Sequence, residues 1–200
     1  MKLLMTVALF GALVVNAQAG PIVQYLNGTF FFAAGPTGQT EGESFTTPGG
    51  GPWNSISFNF YSNSPATTPA AVGTGFLLSM AYAGTTAALS NATPGFIASS
   101  TSNAGGIYTF ASTVALQPST QYWIFSNTAF PFNVTGSITA GTSAQSEYSG
   151  DPFVNSLSDV LNFTLSGGVV AAPEPSTWAL SGAALCGLAF FARRTSRARV

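Results

Sequence analysis

Between residues 20 and 170 the chain alternates aromatic and β-branched residues with Ser, Thr and Asn, and Gly and Pro break the alternation at short intervals. A period of two puts successive side chains on opposite faces of a strand, so this pattern predicts short, half-buried β-strands. Over residues 54–62, Ile56, Phe58 and Phe60 share one face while Ser55, Ser57, Asn59 and Tyr61 share the other. Phe76, Leu78, Met80 and Tyr82 repeat the period, as do Tyr108, Phe110, Val114 and Leu116 with Ser112 interrupting. Further strands are predicted over residues 23–33, 43–46, 122–126, 133–139 and 161–166. Turn-forming clusters separate them at 34–38, 48–52, 63–65, 103–106 and 149–152. No stretch sustains a helical period, and residues 87–91 are expected to form at most one short turn of helix.

Eight or nine short strands, each with one apolar face, bury those faces most economically as two antiparallel sheets packed together. The predicted fold is therefore an all-β antiparallel sandwich, jelly-roll or immunoglobulin-like. Within it, Leu116, Pro118, Thr120 and Tyr122 have the spacing Leu-x-Pro-x-Thr-x-Tyr, which resembles the tyrosine corner of immunoglobulin and fibronectin type III sandwiches. That resemblance implies a structural Tyr122 whose hydroxyl bonds back to the turn backbone; the alternative reading is a sugar-stacking tyrosine. The block from Glu43-Ser44-Phe45-Thr46 through Trp53, the Phe58 and Phe110 strands and Tyr122-Trp123 also resembles an ectodomain type found on surface proteins with interchangeable C-terminal anchors. It covers residues 43 to about 127 and implies no known catalytic activity.

The two ends of the chain have a different character. Lys2, the apolar residues 3–15 and the small-x-small sequence Ala17-Gln18-Ala19 before Gly20 make up a secretory signal peptide, with cleavage expected between Ala19 and Gly20. At the other end, Pro173 and Pro175 lack backbone donors and fix their φ, which makes residues 171–177 an extended, protease-accessible link. Residues 178–192 carry no charge; as a helix they span roughly 22 Å against a hydrocarbon core of ~30 Å. Ser176 and Thr177 can lengthen that helix and Arg193 and Arg194 can snorkel, so a single transmembrane helix with local thinning is expected. Arg193, Arg194, Arg197 and Arg199 in segment 193–200 then hold the C-terminus on the cytoplasmic side.

Taken together, residues 173–199 resemble the PEP-CTERM sorting signal of Gram-negative bacteria that make extracellular polysaccharide. The resemblance implies that Pro173, Glu174 and Pro175 are recognised by an exosortase, a membrane-embedded cysteine peptidase. It further implies cleavage near the motif, loss of the helix and delivery of the ectodomain to the cell surface or matrix. The expected organisation is a signal peptide (1–19), a β-sandwich ectodomain (20–170), a Pro-Glu-Pro link (171–177), a transmembrane helix (178–192) and an arginine-rich tail (193–200).

Charge narrows the role of the ectodomain. Every basic residue lies in the terminal segments, and there is no histidine in the chain. An ectodomain without cations cannot neutralise phosphates, which excludes the usual electrostatic binding of nucleic acid and attraction to anionic lipid. The single cysteine, Cys186, falls in the apolar C-terminal run and reads as a small apolar filler, so the ectodomain depends on packing without a disulfide.

Catalytic constellations are equally constrained. Without His, Ser-His-Asp and Cys-His arrangements and imidazole metal sites are impossible, and Ser-Lys variants fail because the ectodomain has no lysine. A glycosidase needs two carboxyl groups ~5–9.5 Å apart, and Glu41, Glu43, Glu147, Asp151 and Asp159 are the only candidates. Glu41 and Glu43, flanking a flexible Gly42, read as solvated edge charges that discourage edge pairing. Glu147, Asp151 and Asp159 form a loose acidic group read as surface solubility, with a structural calcium as its alternative. No cofactor or metal is called for. Trp123 is assigned to the core; Trp53, after a Gly-Gly-Gly-Pro loop, is the candidate for stacking on sugar.

The leading expectation is a secreted, non-enzymatic surface or matrix protein sorted by an exosortase-type system. A carbohydrate-binding module for extracellular polysaccharide is the alternative, and a carboxylate-based glycosidase a more distant one.

Overall fold

The computed structural model describes residues 20–26, 30–32, 39–63, 65–130, 132–135, 144–148, 151–156 and 160–170. The elements, in chain order, are β1 (Gly20–Tyr25), β2 (Phe30–Phe32), β3 (Gln39–Thr46), β4 (Trp53–Phe60), β5 (Gly75–Leu78), β6 (Phe96–Ser99) and β7 (Tyr108–Thr109). They continue with β8 (Gln121–Ser126), β9 (Phe132–Thr135), β10 (Ala144–Tyr148), β11 (Val154–Ser156), β12 (Val160–Leu161) and β13 (Phe163–Val169). Two 3-10 turns, Thr86–Ala88 and Ala104–Gly106, are the helical elements among the described residues.

The strands form an antiparallel four-stranded sheet, β1-β13-β4-β7, and an antiparallel six-stranded sheet, β11-β10-β3-β8-β5-β6. A smaller sheet, β12-β9-β2, is continuous with the four-stranded sheet where β12 runs into β13 across Asn162. The all-β sandwich expected from the alternation is the observed architecture. Ile56, Phe58 and Phe60 on β4 and Phe163 and Leu165 on β13 meet Phe45, Leu77, Tyr122 and Ile124 of the larger sheet in one buried cluster. Its rings are in direct contact: Phe58 stacks on Phe163 at 5.3 Å between centroids and meets Phe60 edge-on at 4.9 Å, and Phe60 lies 4.7 Å from Phe130. Each such side chain removed from water contributes about 1.5–3 kcal/mol and each ring pair about 0.5–1.5 kcal/mol more. Packing of this kind holds a domain that has no disulfide.

The larger sheet is covered on its outer face as well. Phe76, Leu78, Trp123 and Phe125 point away from the main core and pack under Tyr82, Leu89 and Phe153. Burial on both faces explains why β5 reads Gly-Phe-Leu-Leu, a continuous apolar run, where a half-buried strand would alternate. The expected continuation of that strand through Met80 and Tyr82 does not occur. β5 ends at Leu78, Met80 is 51% exposed, and Tyr82 belongs to the covering loop.

The expected strand at 23–33 is divided between β1 and β2, and the helical turn expected near residue 87 is the 3-10 turn Thr86–Ala88. The signal peptide 1–19, the link 171–177, the apolar segment 178–192 and the tail 193–200 lie outside the described residues. So therefore do Ala17, Ala19, Pro173, Glu174, Pro175, Arg193, Arg194, Arg197 and Arg199. Among the described residues, no helix is long and apolar enough to cross a membrane.

Candidate functional site

Of the residues expected to direct processing, Gly20 is the one inside the described fold. It is the first residue of β1 and pairs with Gly167 of β13. β13 runs antiparallel to β1 and ends with Val169 opposite Trp53. Val170 then donates its N–H to the Pro52 carbonyl at 2.9 Å. The two ends of the domain therefore leave the same pole of the sandwich.

The turn preceding β8 belongs to that pole. The Tyr122 hydroxyl accepts the N–H of Gln117 at 2.9 Å, and the chain between them passes through Ser119 in the left-handed region, with φ of 51°. Thr47, which sequence reasoning passed over, completes the lock. Its hydroxyl donates to the Gln117 carbonyl at 2.6 Å and accepts from the Thr120 N–H at 3.0 Å. Leu116 exchanges backbone bonds with Trp53 at 2.8 and 3.0 Å, and Thr120 donates its hydroxyl to the Pro118 carbonyl at 2.9 Å. A threonine following Ser-Phe-Thr gives no local hint that it will span about 70 residues to bind a turn, so nothing in the sequence marked it.

Trp53, the candidate for sugar stacking, is in the core. It is 6% exposed and packs with Ile56, Leu116 and Leu165 in the inter-sheet cluster, and its six-membered ring lies against the Cα of Gly51. Gly51 lets the backbone pass close over the indole: a Cβ there would fall 2.3 Å from the ring. Trp123 is buried on the outer face of the larger sheet, stacked on Phe125 at 5.9 Å.

Glu41 and Glu43 are not edge charges. β3 is an interior strand, paired with β10 on one side and β8 on the other, and the two carboxylates are 1% and 0% exposed. β10, Ala-Gln-Ser-Glu-Tyr, carries too weak an apolar pattern to be foreseen as the strand that covers β3. Alternation places Glu41 and Glu43 on the inter-sheet face with Phe45. There the Glu43 carboxylate accepts the Leu161 N–H on Oε2 at 2.8 Å and the Ser44 N–H on Oε1 at 3.1 Å. Glu41 Oε1 accepts from Gln39 Nε2 at 2.6 Å. Carboxylates accepting backbone and amide donors inside a core satisfy groups that burial would otherwise orphan, which is a structural assignment. Gly42, expected to be flexible, is pinned between them, because the Phe125 ring lies where its Cβ would be, 2.2 Å away.

The other acidic group expected from the sequence lies in part outside the described residues. Asp151 is exposed beyond the far end of β10, Glu147 stands opposite Thr40 in the β10–β3 ladder, and Asp159 lies outside the described residues. Among the described residues, no group of three His, Cys, Asp or Glu side chains is placed to hold a metal ion.

One further polar cluster is buried at the opposite end of the core. The Tyr108 hydroxyl donates to the Val72 carbonyl and lies 2.9 Å from Ser126 Oγ, which in turn accepts the Thr128 N–H at 3.1 Å. Burial pushes the Tyr108 hydroxyl up to about 12, against the lowering effect of its bonds to Ser126 and Val72. The cluster closes the loop after β8 onto the loop before β5, and the Tyr108 ring also covers Gly75, where a Cβ would lie 2.7 Å from it.

Against known proteins there is no match: no family model, curated protein or solved structure corresponds to the chain.

Proposed function

We propose that this chain is the precursor of an exported, non-enzymatic surface or matrix protein whose β-sandwich is the cargo of a C-terminal sorting signal. The observation that carries the proposal is the succession, within residues 173–199, of Pro173-Glu174-Pro175, an uncharged apolar run and four arginines. A signal peptide at the other end supplies export through the inner membrane. An exosortase-type peptidase is the transient partner, the C-terminal helix holds the precursor in the membrane until it is cut, and the product remains at the cell surface or in extracellular polysaccharide of a Gram-negative bacterium.

The fold is compatible with processing at that position. Among the described residues the last backbone bond, Val170 to Pro52, comes three residues before Pro173, so a cut in the link leaves every described strand in place. The immunoglobulin-like form of sandwich is favoured over the jelly roll by the Tyr122-to-Gln117 bond, which has the connectivity of a tyrosine corner. Binding of polysaccharide through Trp53 loses its basis, since that ring is in the core. Replacing Pro173, Glu174 and Pro175 together by alanine in the native host tests the proposal. The variant is expected to accumulate in the membrane fraction with its tail attached, and release equal to that of the wild type would overturn the reading.

A further inference from the structure

Strand register determines which part of the sandwich the terminal segments can bring to a membrane. β1 starts at Gly20 opposite Gly167, and β13 finishes at Val169 opposite Trp53, the first residue of β4. The remaining chain at that pole is the 48–52 loop and the 117–120 turn, joined by the bonds Ser119 N–H to Pro48 O at 3.1 Å and Thr47 N–H to Thr120 O at 3.0 Å. The opposite pole holds Tyr25, Phe60 and Phe163, which are mutual neighbours at the other ends of the same strands.

From the register we infer that the pole formed by Gly20, residues 48–52, residues 117–120 and Val169-Val170 is the surface that faces the lipid bilayer in the tail-bearing precursor. The inference rests on the proposed reading of segment 178–192 as a membrane helix. Between Val170 and Trp178 there are seven residues, 171–177, which reach at most about 25 Å when fully extended. Strands of seven or eight residues make the sandwich about 25 Å long, so the near pole rests at the headgroups with the tether relaxed, whereas the far pole gets there only if the domain turns over and the tether is stretched to its full length. Cleavage at Ala19 or upstream retention of the signal segment leads to the same pole, because Gly20 emerges beside Gly167.

The chemistry of that pole suits the position. Its residues are Gly, Pro, Ser, Thr, Gln and Val, with no ionisable side chain, and Val169 and Val170 are 48% and 38% exposed. An acidic domain approaching anionic headgroups is repelled through any carboxylate within a Debye length of ~8 Å. Here the exposed Asp151 follows the far end of β10, and Glu41 and Glu43 are buried in the core. The tether supplies the attachment and the uncharged pole removes the opposition to it. The Pro-Glu-Pro link is then confined to the thin layer between folded domain and bilayer, where a membrane-embedded peptidase has its active site within reach, and the substrate is cut as a folded protein.

Energy transfer from the protein to the membrane tests this. In the full-length chain carrying Cys186→Ala, single cysteines are introduced at the near pole (Gly49→Cys, Gln117→Cys) and at the far pole (Pro65→Cys, Asp151→Cys) and labelled with a donor dye. All four positions are surface sites, and a Cβ on Gly49 meets nothing within 4 Å. The proteins are reconstituted into phosphatidylcholine vesicles bearing a headgroup-linked acceptor and recovered by flotation. With the poles about 25 Å apart, and a dye pair whose Förster distance is no longer than that separation, transfer from positions 49 and 117 is expected to exceed that from 65 and 151. Equal or reversed transfer in protein that floats with the vesicles overturns the orientation and leaves the sorting proposal standing. Protein that does not float overturns both. Unchanged thermal midpoints for the four labelled variants guard against loss of fold.

Discussion

Replacing the buried carboxylate of Glu43 should destabilise the sandwich at one identifiable place. Glu43 is fully buried and accepts two backbone N–H groups, from Leu161 at 2.8 Å and from Ser44 at 3.1 Å. Glu43→Gln keeps the shape but replaces one acceptor oxygen with an amide donor, so one of those two N–H groups is left facing another donor. An orphaned buried group costs about 1–3 kcal/mol. Glu43→Leu removes both acceptors and should cost about 3–5 kcal/mol, only partly offset by added apolar surface. In a domain of this size 1 kcal/mol moves the thermal midpoint by about 2–4 °C, so Glu43→Gln should lower it by about 2–12 °C. Calorimetry on residues 20–170 measures the total, and amide exchange locates it: the Leu161 amide should exchange faster in the glutamine variant than in the wild type. Asp151→Asn, at an exposed carboxylate, is the control and should stay within about 0.5 kcal/mol. A Glu43→Gln protein as stable as that control, with Leu161 protection intact, would refute the assignment of Glu43 as the acceptor that holds β12 and β13 against β3.

Alkaline pH should destabilise the domain through Tyr108. Its hydroxyl ionises near 12 in the fold and near 10 in an unfolded chain, so the stability it contributes is fully present below about pH 10 and up to about 3 kcal/mol is withdrawn as pH rises through 12. Tyr108→Phe should cost about 1–2 kcal/mol at neutral pH and flatten the decline above pH 10 in a pH series of urea melts; an unaltered alkaline profile would contradict this. The Ser44 hydroxyl is buried with no hydrogen-bond partner among the described residues, and Ser44→Ala should therefore raise stability by about 1 kcal/mol in the same melts. Gly42→Ala places a methyl against the Phe125 ring and should lower stability by about 1–3 kcal/mol, with the loss relieved when Phe125 is also replaced by leucine.

Much of the fold was legible because its signals are local. Ile56, Phe58 and Phe60 alternate with polar residues, and all three are in the core as that alternation requires. What the alternation could not show is how many faces each strand buries. β5 is covered on both sides, and its period disappears at Leu77-Leu78. Glu41 and Glu43 were misplaced for a related reason. A glutamate on a short strand is usually at an edge, and its burial here depends on β10, a polar segment about 100 residues away whose pairing no local pattern announces. Trp53 looked available because a glycine-rich loop precedes it, whereas Gly51 of that loop is what allows the chain to close over the indole. The Leu116 to Tyr122 spacing, by contrast, is a short-range arrangement, and the Tyr122 hydroxyl makes its bond five residues back.

The central claim concerns the termini of the mature molecule, and the most direct measurement is intact-mass and terminal-peptide spectrometry on protein recovered from the surface and medium of its native host. The account predicts an N-terminus at Gly20 and a C-terminus between Val170 and Trp178, with no molecule retaining segment 178–192. A surface population that ends predominantly in Arg199-Val200 would contradict it.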